Sequence, residues 1–230
     1  MSKNSMGYMG NQIGKLGTAV GSIFRRQQVY RAYQKFVRNP QTPSQQMGRL
    51  RFSVLSGLSR AFAPGIAIGL GNYARQRGGH YRPTFLRLNK DAVSANSSGE
   101  VVIDYGALII SAGSTPEVFF DRADYETPQK ISVPFGANVA AGGALASDLV
   151  YLFAFCPTLN TGILSTGTPR GDSTATATIT LPVQWSGESV HLYGFLRNSL
   201  TEPTWVDSLQ TTLSPGIASY SSYLGEGTIG

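Results

Sequence analysis

The residues able to do acid–base or metal chemistry are few, and each has a plainer reading. Histidine occurs at His80 and His191 only, and cysteine only at Cys156. A nucleophilic relay needs a base with a positioned partner, and the sequence identifies a partner for neither histidine. His80 lies in a Gly-Gly loop, where a solvated ring is expected. His191 alternates with Tyr193 and Phe195, the pattern of a packed or surface strand residue. Cys156 precedes Pro157 at the end of an apolar run and reads as buried and inert. A single cysteine builds neither a disulfide framework nor a cysteine-based metal cluster. The only acidic cluster, Asp121, Asp124 and Glu126, lacks the regular spacing and central glycine of a calcium loop and reads as a solvated loop. Gly14-Lys15-Leu16-Gly17-Thr18 invites a phosphate-loop reading that its spacing defeats. Only three residues separate Gly10 from Gly14, and Leu16 follows Lys15 where Ser or Thr is required. Arg170-Gly171-Asp172 spells an adhesion tripeptide, but turn chemistry accounts for its Gly and Asp. No catalytic, cofactor-binding or metal-binding residue is expected, and the chain is expected not to be an enzyme.

Charge carries the stronger signal. The chain has 230 residues, 19 Lys and Arg, and 13 Asp and Glu, a net +6. Residues 1–90 hold 15 of those cations and no acid, and residues 91–230 hold the remaining 4 cations and all 13 acids, so the two parts carry +15 and −9. Asymmetry of this kind points to an interaction surface. Unopposed cations repel one another. Nucleic-acid phosphates, anionic lipid, or the acidic part of the same or a neighbouring subunit must offset them.

Elements that could position these charges follow from periodicity. Residues 18–37 read as a hairpin in which β-branched and aromatic residues flank a polar Arg25-Arg26-Gln27-Gln28 turn. On its second arm Val29, Arg31, Tyr33 and Lys35 share one face. This interleaves basic and aromatic side chains as single-strand nucleic-acid platforms do. Tyr30 and Phe36, on the other face, read as ordinary core residues. Thr42-Pro43 starts a helix, and Met47, Leu50, Val54, Leu58 and Phe62 extend it over 43–62. Ala63-Pro64-Gly65 breaks it, residues 66–77 form a second helix weakened by glycine, and Gly78, Gly79 and Pro83 give a loop. From residue 100 the period becomes two. Strands are expected at 101–105, 107–111, 117–121, 130–133, 149–156, 174–181, 189–197 and 204–209, with 219–230 adding a last strand or crossing to a neighbour. Leu149–Cys156 is apolar throughout and reads as a central strand, whereas Thr174–Thr180 alternates, placing Ala175, Ala177 and Ile179 inward.

The expected fold is mainly β, an antiparallel sandwich of immunoglobulin-like or jelly-roll-like type, preceded by a hairpin and one or two helices. The expected organisation is a basic Gly-rich hairpin-plus-helix segment at 1–90 and the sandwich at 91–230. Length suits one large domain or two small ones, apolar content of 41% is too high for disorder, and no run of 18 apolar residues offers a membrane span. The first residues lack the apolar stretch of a secretory signal, so a cytoplasmic or virion location is expected.

The order of GKLGTAVGS, NPQTPSQQMGRLRF, Val102-Ile103-Asp104-Tyr105, Ser111-Ala112-Gly113, Leu149–Phe155, TGTPRGDSTAT and SYSSYLGEGTI resembles a set of Bacteroidota proteins of unassigned function, carried also by their phages and prophages. The resemblance spans about residues 10 to 229. It implies a Gly-rich basic lead before a β-sandwich and brings no catalytic residue with it. Phe24-Arg25-Arg26 departs from that family's usual turn. The function expected is that of a phage virion structural protein, a capsid or tail component forming a homo-oligomer. Arg25, Arg26, Arg31, Lys35, Arg38, Arg49 and Arg51 would then neutralise phosphates without reading bases. The alternative is an adhesion module whose loops bind glycan or protein, with Trp185 and Trp205 as candidate exposed aromatics, each also readable as core because it sits beside a strand.

Overall fold

The computed structural model describes residues 13–24, 27–36, 41–96, 100–125, 129–136, 145–172, 174–198 and 218–229. Contacts divide the chain into two compact units, Met1–Gln45 and Gln46–Gly230. The sign of charge changes at 90/91, whereas the contact boundary lies at 45/46.

The first unit is a three-stranded antiparallel sheet, β1 (Gly14–Leu16), β2 (Ala19–Phe24) and β3 (Gln27–Ala32), in that order. The β2–β3 hairpin appears where expected, with a tighter connection. Phe24 pairs with Gln27 and Ile23 with Gln28, so both glutamines belong to the strand and not to the turn. The phosphate-loop look-alike is the β1–β2 hairpin, with Gly17 at the turn in the left-handed region at φ 57°. Tyr30 and Phe36 are not core residues: they are 54% and 84% exposed. Among the residues of this unit whose exposure is described, only Gly21 is buried.

In the second unit the helices lead. Helix α1 (Pro43–Ala61) begins where Thr42 caps it, its Oγ1 accepting from the Gln45 N–H at 3.4 Å. Leu55, Leu58 and Ser59 are its buried positions, with Phe62 buried just past its end, while Met47, Leu50 and Val54 are only half-buried. After an 87° bend α2 (Ala63–Gly69) follows, with proline in its first turn, then α3 (Gly71–Gln76). The expected single helix over 66–77 is thus two. The loop expected around Pro83 is instead α4 (Tyr81–Leu88). His80 caps it by accepting from the Arg82 N–H, and Pro83 falls in the first turn, where its missing donor costs nothing.

The strands are β4 (Val93–Ala95), β5 (Val101–Ile103), β6 (Lys130–Pro134), β7 (Leu149–Cys156), β8 (Thr161–Leu164), β9 (Thr168–Pro169), β10 (Thr176–Thr180), β11 (Ser189–Arg197) and β12 (Ser222–Thr228). A five-stranded antiparallel sheet runs β12-β11-β7-β8, with β9 also on β7; β10 pairs with β6, and β4 with β5. The fold is mainly β, antiparallel, with helices, as expected. Four helices are described where one or two were anticipated.

Three layers explain the residue pattern. Val150, Leu152, Ala154 and Cys156 of β7, with Val190, Leu192 and Leu196 of β11, pack against Ile131 and Val133 of β6 and Ala177 and Ile179 of β10. The opposite faces of the same strands, Tyr151, Phe153, Phe155, Tyr193 and Phe195, pack against Leu55, Leu58, Phe62, Ile66, Leu70 and Phe85 of the helical layer. A strand covered on both faces must be apolar at every position, which is what LVYLFAFC is. Strand β10, with one face outward, alternates.

Two expected strands are absent. Residues 105–107 form a 3-10 turn, and 108–112 runs extended without a ladder. Its backbone is satisfied from elsewhere. Asn89 accepts from the Ile109 N–H at 2.6 Å and donates to Ile109 O, Ser221 Oγ accepts from Ile110 N–H, and Ala112 N–H donates to Gly69 O. Residues 117–121 contribute only an isolated bridge, Phe120 to Phe135. The strand expected at 204–209 lies outside the described residues.

Candidate functional site

The first unit segregates its side chains. Lys15 pairs across β1–β2 with Val20, and Val20 pairs across β2–β3 with Arg31, so the three form one row on one face. Tyr33 extends that face, since its N–H donates to Thr18 O and the Lys15 ammonium lies 4.2 Å from its ring centroid. Val29 and Ser22 complete the face. The reverse face carries Ala19, Gly21, Ile23, Gln28, Tyr30 and Ala32, none of them charged.

Of the seven cations expected to meet phosphate, Arg31 and Lys35 are exposed in this unit. Lys35 lies beyond β3, with its ammonium 5.7 Å from the Phe36 ring centroid. Arg25, Arg26 and Arg38 lie outside the described residues. Arg49 and Arg51 belong to α1 of the other unit. Arg49 is exposed, whereas Arg51 is half-buried and its Nε donates to Val93 O at 2.9 Å, tying α1 to β4. Lys15 was not anticipated. Only the β1–β2 register brings it beside Arg31, and the glycine-flanked turn at Gly17 is the sequence signal that marks that register.

The groups first considered for chemistry are engaged in structure. Cys156 is buried between the two sheets. The Arg170-Gly171-Asp172 turn cannot present an adhesion tripeptide, because Arg170 is 1% exposed. Its guanidinium donates to Pro116 O and Glu117 O, each at 3.3 Å, and Asp172 caps its own turn through Thr174. Trp185 is fully buried, and Trp205 lies outside the described residues. Asp121 accepts from the Arg122 N–H, Asp124 bridges to Ser132, and Glu126 lies outside the described residues. Among the described residues no three His, Cys, Asp or Glu side chains come together as a metal-holding group, and no single helix is long and apolar enough to cross a membrane.

His191 has partners the sequence did not show. Its Nδ1 lies 2.9 Å from Tyr223 Oη, its ring stacks on Tyr105 at 4.0 Å, and Glu226 stands opposite it on β12. The Tyr193 hydroxyl donates to Tyr105 O. Burial, with a smaller contribution from the Glu226 carboxylate, raises the Tyr105 phenol, while burial lowers the imidazole of His191 against the opposing pull of Glu226. On the other face of the sheet Tyr125, half-buried and near Tyr223 and Glu226, is pushed up to about 12 by that burial first.

The lowered imidazole makes the cluster a pH-dependent clasp on β12. The unfolded chain binds a proton at His191 more readily than the folded one, so stability is complete above the ordinary value of 6.5 and falls as pH drops through the lowered folded value. Melting curves from about pH 8 to 5 should show acid destabilisation that is smaller in His191→Gln, which keeps an acceptor for Tyr223 but cannot charge. Parallel pH profiles for the two proteins would remove His191 from the account.

A model of a protein family, described as a family of unknown function, matches residues 10–202. No curated protein matches the chain, and no solved structure does.

Proposed function

We propose, from the premise that the chain belongs to the DUF6266 family of unknown function, that it is a non-enzymatic structural protein of a bacteriophage virion, a capsid or tail component that works as a homo-oligomer. One observation carries this reading. The sheet of the first unit shows little interior of its own, since Gly21 alone is buried among its residues whose exposure is described. Isolated sheets of this size are marginal in water and become stable when a face is covered. Ile13, Ile23, Val29, Tyr30 and Phe36 are all exposed there, between 40% and 84%, an apolar load that an assembly partner would shield. The acid-free sequence of residues 1–90 supports an assembly in which the basic part faces nucleic acid or acidic neighbouring subunits, and the resemblance to phage-carried proteins supports the virion as its setting.

Light scattering of the full chain tests the assembly. The expected mass is a multiple of the chain's own at low ionic strength. It should fall as salt screens contacts between the basic and acidic parts, over the range where the Debye length shrinks from about 30 Å to 8 Å. A monomer at every salt concentration overturns the proposal. Mass spectrometry of purified virions tests the setting: the chain should be a stoichiometric component, and its absence from the particles withdraws the virion assignment.

A further inference from the structure

We infer that the Lys15–Val20–Arg31–Tyr33 face of the first unit is a platform for single-stranded nucleic acid, gripping phosphates with Lys15 and Arg31 and stacking a base on Tyr33. The inference rests on the structural reading above and names the partner of its basic segment. Three observations favour this occupant. The cations are aligned, because Lys15 and Arg31 sit on the same cross-strand row with only Val20 between them. Residues 1–45 contain seven Lys and Arg and no acid, so no carboxylate within the unit competes with phosphate for them. The half-exposed ring of Tyr33, at 43%, lies on the cationic face, within cation–π reach of Lys15.

The arrangement of the ring and the charges separates nucleic acid from lipid. A segment that lies on an anionic membrane turns its aromatic and aliphatic side chains to the acyl boundary and its cations to the opposite side or the rim. The uncharged reverse face of Ala19, Ile23, Tyr30 and Ala32 fits that pattern, and what departs from it is Tyr33, which stands on the cationic face beside Lys15 and not with the other apolar groups. Base stacking beside phosphate contacts uses that combination and tolerates any sequence, because every base has a π face. The antiparallel ladder holds the row flat, so the strand would run across β1–β2–β3 and not along one strand. Arg51 takes no part, since its guanidinium is committed to Val93 O.

Fluorescence anisotropy of a labelled oligothymidylate with the full chain tests this. Binding should weaken steeply between about 50 and 200 mM salt, and the double variant Lys15→Gln/Arg31→Gln should flatten the log–log salt slope by about 1.4, the loss of two single-strand phosphate contacts. Tyr33→Leu should weaken binding by about tenfold at fixed salt while leaving that slope unchanged. Tyr30→Ser, on the reverse face, should bind as the parent does, and far-UV circular dichroism should match for all four proteins. Binding that ignores Lys15 and Arg31, a Tyr33→Leu variant as tight as the parent, or capture by phosphatidylserine vesicles in place of the oligonucleotide each overturns the inference. The parent's own salt slope decides the matter if a variant fails to fold. Failure here with a salt-sensitive oligomer still present would remove the nucleic-acid face and leave the structural reading standing; loss of the oligomer would do the reverse.

Discussion

Phe153→Ala is expected to cost the second unit about 3–5 kcal/mol, lowering Tm by roughly 10 °C. The ring sits at the centre of the helical side of the sheet, fully buried, with centroids 5.0 Å from Phe62 and 6.3 Å from Tyr193. Two glycines make room for it. A Cβ on Gly65 of α2 would come within 2.9 Å of Phe153 Cδ2, and one on Gly162 of β8 within 2.3 Å of its Cζ. The two differ in what else they meet. At Gly65 the near neighbours are all Phe153 ring atoms, whereas at Gly162 the carbonyl oxygen of Ala61 also lies at 2.6 Å. Gly65→Ala alone should therefore cost about 1–3 kcal/mol by overpacking, and most of that cost should vanish in the Phe153→Ala background. Gly162→Ala should remain costly in both, because the Ala61 backbone cannot yield. Denaturant melts of the single and double variants read the coupling directly. Strict additivity of Gly65→Ala with Phe153→Ala would show that α2 does not rest on this ring.

That ring also marks the limit of what a sequence can disclose. Strands β7 and β11 were legible to the residue, Leu149–Cys156 and Ser189–Arg197: burial on both faces makes β7 an unbroken apolar run, and β11 keeps Val190, Leu192, Tyr193, Phe195 and Leu196 between its polar ends. The capped start of α1 at Thr42-Pro43 and the break at Pro64 were equally readable, since capping and the missing proline donor act within a few residues. Segment 108–112 was not. It alternates like a strand, yet its hydrogen bonds go to Asn89 and Ser221, 20 and 111 positions away from their partners, and nothing local records that. Proline misled at position 83, where a donor-free residue in a first turn looks the same in sequence as one in a loop.

The candidate interface was legible in the same partial way. Period-two alternation correctly put Val29 and Arg31 on one side of β3, and Lys15 over Tyr33 shows that Tyr33 follows them. Lys15 itself becomes part of the face only through pairing between β1 and β2, a register that alternation within one strand cannot supply. Arg51 shows the converse. On a helix projection it is one more cation, but its half-buried position beside Leu55 turns its guanidinium inward to Val93 O. Charge counts locate a basic segment, and burial decides which of its members are free to meet a partner.

Arg170 is the strongest case of that rule, and Arg170→Met should destabilise the second unit by about 3 kcal/mol. Its fork reaches the carbonyl oxygens of both Pro116 and Glu117, fixing the 114–117 loop to the β9 turn, and its own N–H donates to Asp148 O at 2.7 Å. Burial lowers the guanidinium's affinity for its proton, and the buried Asp148 carboxylate acts against that shift. Methionine fills similar volume but leaves the Pro116 and Glu117 carbonyls without their guanidinium donor. Lysine restores the charge without the fork, so Arg170→Lys should recover part of the loss and not all of it. Arg60→Met, an exposed cation on α1, should shift stability by no more than about 0.5 kcal/mol. Hydrogen exchange gives the local readout, with the Thr115 amide of this loop, which donates to Ala218 O, losing protection in Arg170→Met ahead of β7. Should Arg170→Met instead melt with Arg60→Met, the two carbonyl contacts would be incidental, and the burial of the tripeptide arginine would need another cause.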